Sequence, residues 1–162
     1  PEMRRFAVET NAQLALSLHA TEEATRSAIV PANNKHSLAE LVATLKDLYP
    51  KGVKVGSHGR HVLIEYVMLA GVNDTLEDAE RLVGLLDEVE CKVNLLVFNS
   101  FDGSPFVPSS LQVVKAFRAA VVAKGVVCTI RNSRGDDEMA ACGQLGFNVK
   151  KQKQPQQQES RL

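Results

Sequence analysis

The chain has 162 residues, 44% of them hydrophobic, and its 19 basic and 19 acidic side chains cancel to a formal net charge of zero. That length suits one domain or a piece of one, with enough apolar material for a core, and the balanced charge excludes a global signature of nucleic-acid or membrane binding. No apolar run nears the ~20 residues of a membrane span. Three scattered cysteines, Cys91, Cys128 and Cys142, argue against a secreted disulfide framework and for a reducing compartment.

Residues 1–11 are mixed and predict no definite element. Leu14, Leu16 and Leu18 alternate with Ala15 and Ser17, which predicts a short strand ending near His19. Thr21 is positioned to cap a brief helix over 22–29, closed by Pro31. Ser37 with Glu40 forms a capping-box pattern ahead of Leu38, Leu41, Val42, Leu45 and Leu48, which have helical spacing. Pro50 and Gly52 end that helix, and 51–60 reads as an exposed glycine- and lysine-rich loop. HVLIEYVML at 61–69 is β-branched and aromatic, a buried strand, with a turn at Gly71, Asn73 and Asp74.

Thr75 with Asp78 opens the next helix, striped by Leu76, Ala79, Leu82, Val83 and Leu86. Residues 92–98 are nearly all apolar, as expected of a parallel strand covered on both faces. A loop follows at 101–108. Ser109 or Ser110 caps another helix, with Val114, Phe117 and Val121 inward and Gly125 as its stop. Residues 126–130 predict a last strand. RGDDEMAACGQL at 134–145 predicts a short helix after Gly135, with Asp136, Asp137 and Glu138 at its N-terminus. From 150 the sequence KKQKQPQQQESRL reads as a disordered tail, so the expected division is a domain over 1–149 and a tail over 150–162.

Alternating strands and helices predict an α/β fold with a parallel sheet and right-handed crossovers, whose ligands bind at the strands' C-terminal ends. His19, Met68 with Leu69, Asn99 and Arg131 fall at or near those ends. Each has an ordinary reading beside a functional one. Ser17 and His19 make either structural hydrogen bonds or ligand contacts. Asn99 is either a turn residue or an amide able to fix a carboxylate or ribose. Cys142 is either a small buried hydrophobe or a reactive thiol near Arg131 and Arg134, and spacing alone leaves both open. His58 and His61 in GSHGRH lack cysteine or carboxylate partners and read as a solvated loop. Lys51, Lys54, Arg60, Arg131 and Arg134 are either phosphate contacts or plain surface charges.

RGDDEMAACGQL, with SLHA at 17–20, EYVML at 65–69 and CKVNLLVFN at 91–99, resembles the C-terminal half of the radical-SAM adenine-C2 RNA methyltransferases, over about residues 13–145. The resemblance implies the C-terminal part of a partial (β/α)6 TIM-type barrel with outer helices. It implies methylation of carbon 2 of adenine in 23S rRNA, and in bacteria also tRNA. Ser17, Leu18, His19 and Asn99 would contact S-adenosylmethionine, and Cys142 would carry the methyl group as an S-methylcysteine. A [4Fe-4S] cluster and an electron donor such as flavodoxin are implied as well. The compartment implied is the cytoplasm in a bacterium, or a chloroplast or mitochondrion in a eukaryote.

The cluster-binding CxxxCxxC motif does not occur in this sequence, and the intervals between its three cysteines cannot substitute. The family's GGEP segment, N-terminal RNA-recognition domain and resolving cysteine are likewise not in it. With Pro1 at the start and no signal-peptide pattern, the expectation is a piece beginning partway through the barrel, inactive alone. The alternative expectation is a non-catalytic half-barrel that binds S-adenosylmethionine or RNA. Either way its first strand would present an open edge.

Overall fold

The computed structural model describes residues 2–30, 35–53 and 61–131. The expected helix at 134–145, Cys142, His58, Lys54, Arg60, Arg134 and the 150–162 tail lie outside the described residues. In chain order the elements are α1 (Glu2–Glu9), β1 (Ala15–Ser17), α2 (Glu23–Ile29), α3 (Leu38–Leu48), β2 (Val62–Met68), α4 (Leu76–Leu85), β3 (Cys91–Val97), α5 (Leu111–Ala123) and β4 (Val127–Arg131). Helix α1 forms where the sequence predicted nothing.

The four strands are all parallel and lie in the order β1-β2-β3-β4. A doubly wound sheet reverses its strand order at a switch point and puts helices on both faces. Here the order never reverses, so successive crossovers of one hand stack their helices on one face, as the strands of a barrel do. Val62, Ile64, Tyr66 and Met68 of β2, Val93 and Leu95 of β3 and Cys128 of β4 are buried on that face. They pack with Leu38, Val42 and Leu45 of α3, Ala79 and Leu82 of α4, and Val114, Phe117 and Val121 of α5. Tyr66 and Phe117 meet with ring centroids 5.4 Å apart.

The alternate residues face the other way, away from these helices: Asn94 is buried, Val67 and Leu96 are half-buried and Lys92 is exposed. The expectation that β3 is covered on both faces is therefore corrected: Lys92 is exposed on the second face. In register across it run Ser17, Glu65, Asn94 and Thr129, a polar layer whose Thr129 hydroxyl donates to Asn94 Oδ1 at 3.0 Å. Above that layer, towards the C-terminal ends, lie Val67, Leu96 and Arg131. Arg131 reaches back to Glu65 at 3.7 Å.

The helix starts follow the local chemistry. Ser37 and Thr75 each accept from the backbone three residues on while Glu40 and Asp78 return the bond, and Ser110 caps α5. Gly125 stops α5 at φ +85°, a left-handed position that suits glycine. Thr21 departs from expectation. It is buried and donates to Asp78 Oδ1 at 3.1 Å, while Glu22 occupies the N-cap of α2 without a side-chain bond. Leu76 also leaves the predicted stripe, because the first residue of α4 points to solvent.

Asp78 thus does more than cap. It is buried and accepts from Thr75, Thr21 and Arg81. Burial raises its pKa, but the donors from Thr75, Arg81 and Thr21 outweigh that and hold it below the ordinary 3.8. Asp78→Ala is expected to cost about 2–3 kcal/mol, the loss of several bonds to a buried charge. Leu76→Ala, at an exposed position, should stay within about 0.5 kcal/mol. Urea unfolding at pH 7 compares them. Because the carboxylate is favoured in the native state, the contribution of Asp78 is present at neutral pH and is lost as pH falls below about 4 towards the native pKa.

Candidate functional site

The C-terminal end of β1 is where the sheet's regular pairing is replaced by side chains. Leu63 N–H donates to Leu14 O and Leu18 N–H to Glu65 O, so the parallel ladder's next bond would run from Val67 N–H to Leu18 O. It is not made. Leu18 O instead accepts from Arg26 Nε at 3.1 Å, and Val67 N–H donates to His19 Nδ1 at 3.1 Å. His19 itself turns into the left-handed region at φ 61°, where histidine is tolerated better than most non-glycine residues. That single inversion swings the chain out of the sheet and brings the imidazole back over β2.

The consequence for the ring is definite. A backbone N–H aimed at Nδ1 requires a lone pair there, so the neutral ring carries its proton on Nε2. Burial, and secondarily the charge of Arg26, push His19 down from 6.5 to about 4, against a smaller upward pull from the Glu65 carbonyl. At neutral pH His19 is an uncharged imidazole whose remaining function is a single N–H donor.

Of the predicted site residues, Ser17 and His19 come together at the end of β1, with Ser17 exposed on the uncovered face. Leu18 differs in kind. Its side chain is fully buried against the helices, and both its backbone groups are bonded within the protein. Asn99 is exposed two residues beyond β3. β2 lies between β1 and β3, so those two strands are two spacings apart, about 10 Å across the sheet, and His19 and Asn99 each lie two residues beyond the end of one of them. Val67 and Leu96 form the apolar floor between them. Met68 and Leu69, predicted near the same rim, are core residues instead. Arg131 is on the rim, but Lys51 lies in the turn before β2, at the opposite end, paired with Asp87 at 3.6 Å. The basic residues described do not form one face.

Other placements narrow the chemistry. His61 contacts Gln13 through Nε2 at 2.6 Å, at the strands' N-terminal ends. Cys91 and Cys128 also belong to those ends, as the first residue of β3 and the second of β4. Burial pushes both thiols up to about 11. Among the described residues no group of three or more His, Cys, Asp or Glu is placed to hold a metal ion.

Sequence reasoning missed the groups that build the rim. Asn73 was read as a turn residue, yet it is fully buried and its amide bonds three backbone groups: it donates to His19 O and Val67 O, both at 2.7 Å, and accepts from Leu69 N–H at 2.8 Å. Tyr66 Oη donates to the Asn73 carbonyl at 2.8 Å. Arg26 was passed over inside a helix. For the neutral His19, stability should fall as pH drops from 6.5 towards 4, because the unfolded chain takes up a proton that the native ring refuses. His19→Gln keeps an acceptor but cannot titrate. Its urea midpoint is expected to drop less between pH 7.5 and pH 5 than that of the wild type, and equal drops would show that the ring is not held neutral.

No protein-family model matches the chain. It is 42% identical over 149 residues to the dual-specificity RNA methyltransferase RlmN of Ruthia magnifica subsp. Calyptogena magnifica, covering 92% of this chain and 41% of that protein. With the protein of the same name from Anaeromyxobacter dehalogenans it shares 45% over 145 residues, 90% of this chain and 37% of the relative. The chain thus spans about two fifths of the length of the curated relatives it matches. A crystal structure of a radical SAM methyltransferase from Sphaerobacter thermophilus superposes with a TM-score of 0.80 at 39% identity, over 89% of this chain and 41% of that one. The open four-stranded sheet with one covered face is accordingly part of a barrel, and over nine tenths of its length the chain is similar to about two fifths of these radical-SAM and RNA methyltransferases.

Proposed function

We propose that this chain forms the C-terminal, S-adenosylmethionine-facing part of an enzyme that methylates carbon 2 of adenine in 23S rRNA, and in tRNA as well. The observation that carries the reading is the rim: a neutral His19 donor and the Ser17 hydroxyl on one strand, and the Asn99 amide two strands away across an apolar floor. S-adenosylmethionine offers a carboxylate at one end, ribose hydroxyls at its middle and a flat purine with apolar faces at the other end, and these residues fit it. When bound, it supplies the methyl group. His19 Nε2–H and the Asn99 amide would hold its hydroxyl or carboxylate oxygens, and Val67 and Leu96 would keep water from the purine. An uncharged donor at His19 also avoids repelling the sulfonium.

The iron–sulfur cluster is a different matter. Cys91 and Cys128 do not fit it: they stand at the end of the sheet away from the rim, half-buried and buried respectively, with thiols held protonated at neutral pH. Its ligands must come from elsewhere than these two residues. Cys142, in RGDDEMAACGQL, lies outside the described residues, and its assignment as the methyl-carrying thiol rests on the family pattern. RNA as the substrate, and flavodoxin or a similar protein as electron donor, belong to the same proposal, as does a cytoplasmic or organellar location.

Two measurements test it in the full chain as its source makes it. Calorimetric titration with S-adenosylhomocysteine should show binding that His19→Ala and Asn99→Ala each weaken by about tenfold or more, the loss of a bond to a polar or charged group. Unchanged affinity in both variants removes the rim assignment. Cys142→Ala should bind the ligand as the wild type does yet leave adenine unmethylated. Methylated RNA from that variant would remove the covalent role of the thiol.

A further inference from the structure

Beyond the end of β1, β2 still presents backbone groups toward the neighbour it has lost. Val67 N–H and O and Leu69 N–H lie on that side by the alternation of the ladder. Side chains satisfy all three: His19 Nδ1 takes the Val67 N–H, and the Asn73 amide takes Val67 O and Leu69 N–H. The Asn73 amide therefore stands in for the missing peptide of β1. With its second Nδ2 hydrogen it also grips the carbonyl of His19, the one non-glycine residue with positive φ among those described.

We propose that Asn73 is a positioning residue for ligand binding at the rim, fixing His19 in its left-handed conformation so that one ring nitrogen is tied to β2 and the other is presented as a donor. This assignment rests on the reading of His19 as a contact for S-adenosylmethionine. The argument is one of alternatives. A left-handed histidine is less favourable than one in ordinary backbone, and without the bond to its carbonyl nothing else described holds that peptide. Released, His19 can return to extended backbone, which frees Val67 N–H from the ring and lets the imidazole sample both tautomers. Tyr66 supplies an internal control. Its hydroxyl bonds the Asn73 carbonyl and leaves the amide untouched.

The test uses the full chain with histidine-selective nitrogen labelling and calorimetric titration with S-adenosylhomocysteine. In the wild type the His19 ring should show a fixed Nε2–H tautomer. Asn73→Ala should average the two ring nitrogens and weaken binding by about tenfold, as when the partner orienting a metal-bound imidazole is removed. Tyr66→Phe should lower the unfolding midpoint while leaving tautomer and affinity as in the wild type. A folded Asn73→Ala protein with wild-type ring signals and affinity overturns the assignment, as does a Tyr66→Phe protein that loses both. Should Asn73→Ala not fold, hydrogen exchange in the wild type decides. The ligand is expected to slow exchange of the Asn73 side-chain amide and of Leu69 N–H, and equal rates with and without it overturn the proposal. If the wild type binds no S-adenosylhomocysteine, it is the reading of the rim that falls first.

Discussion

A parallel strand that leaves its sheet strands the hydrogen-bonding groups of its neighbour, and buried backbone groups left without partners are costly. At the end of β1 that cost is met by side chains rather than by water. His19 and Asn73 take the groups of β2, Arg26 takes Leu18 O, and Tyr66 ties the Asn73 carbonyl to the core. Among the described residues no buried side-chain nitrogen or oxygen lacks a partner. The same bonds that settle the backbone also choose the tautomer and charge of His19. Structure and chemistry at this rim are therefore one problem, because the residue that would meet a ligand is also a residue that closes the sheet.

The second constraint is the one-sided burial of the sheet. Helices α3, α4 and α5 supply the apolar cover for a single face, leaving the opposite face with a polar layer from Ser17 to Thr129 and an apolar band at Val67 and Leu96. On an ordinary exposed sheet, half-buried leucine and valine beside a paired glutamate and arginine would gain little. As part of a barrel interior the same pattern is graded, polar at mid-height and apolar nearer the C-terminal mouth. Glu65 and Arg131 are held at 3.7 Å with Arg131 largely exposed, so their pairing adds little stability and instead fixes how charge is distributed along the wall.

Most of the fold was legible because its cues are local. The capping boxes at Ser37 and Thr75, the glycine stop at Gly125 and the β-branched strands all formed close to where their chemistry puts them. Periodicity failed where tertiary contacts overruled it. Thr21 abandoned a cap for Asp78, fifty-seven positions away, and β3 exposed Lys92 because covering depends on which crossovers exist, not on the strand's own composition. The rim was half legible. Ser17, His19 and Asn99 could be placed at strand ends from the order of elements. Asn73 and Arg26 could not, since an asparagine after a glycine reads as a turn and an arginine in a helix reads as solvent-facing. What gives each its role is a vacancy in a ladder that no single stretch of sequence describes.

The two ends of the sheet divide the labour, and the cysteines show it. Cys91 and Cys128 enter β3 and β4 at the base, where burial raises their thiols to about 11 and makes them small hydrophobes at neutral pH. The open mouth carries the neutral imidazole and the amide, with the Ser17 hydroxyl in the polar layer below them. A thiol that is to accept a methyl group needs thiolate character and access, and neither is available at the base. Any cysteine serving such chemistry must therefore be other than these two.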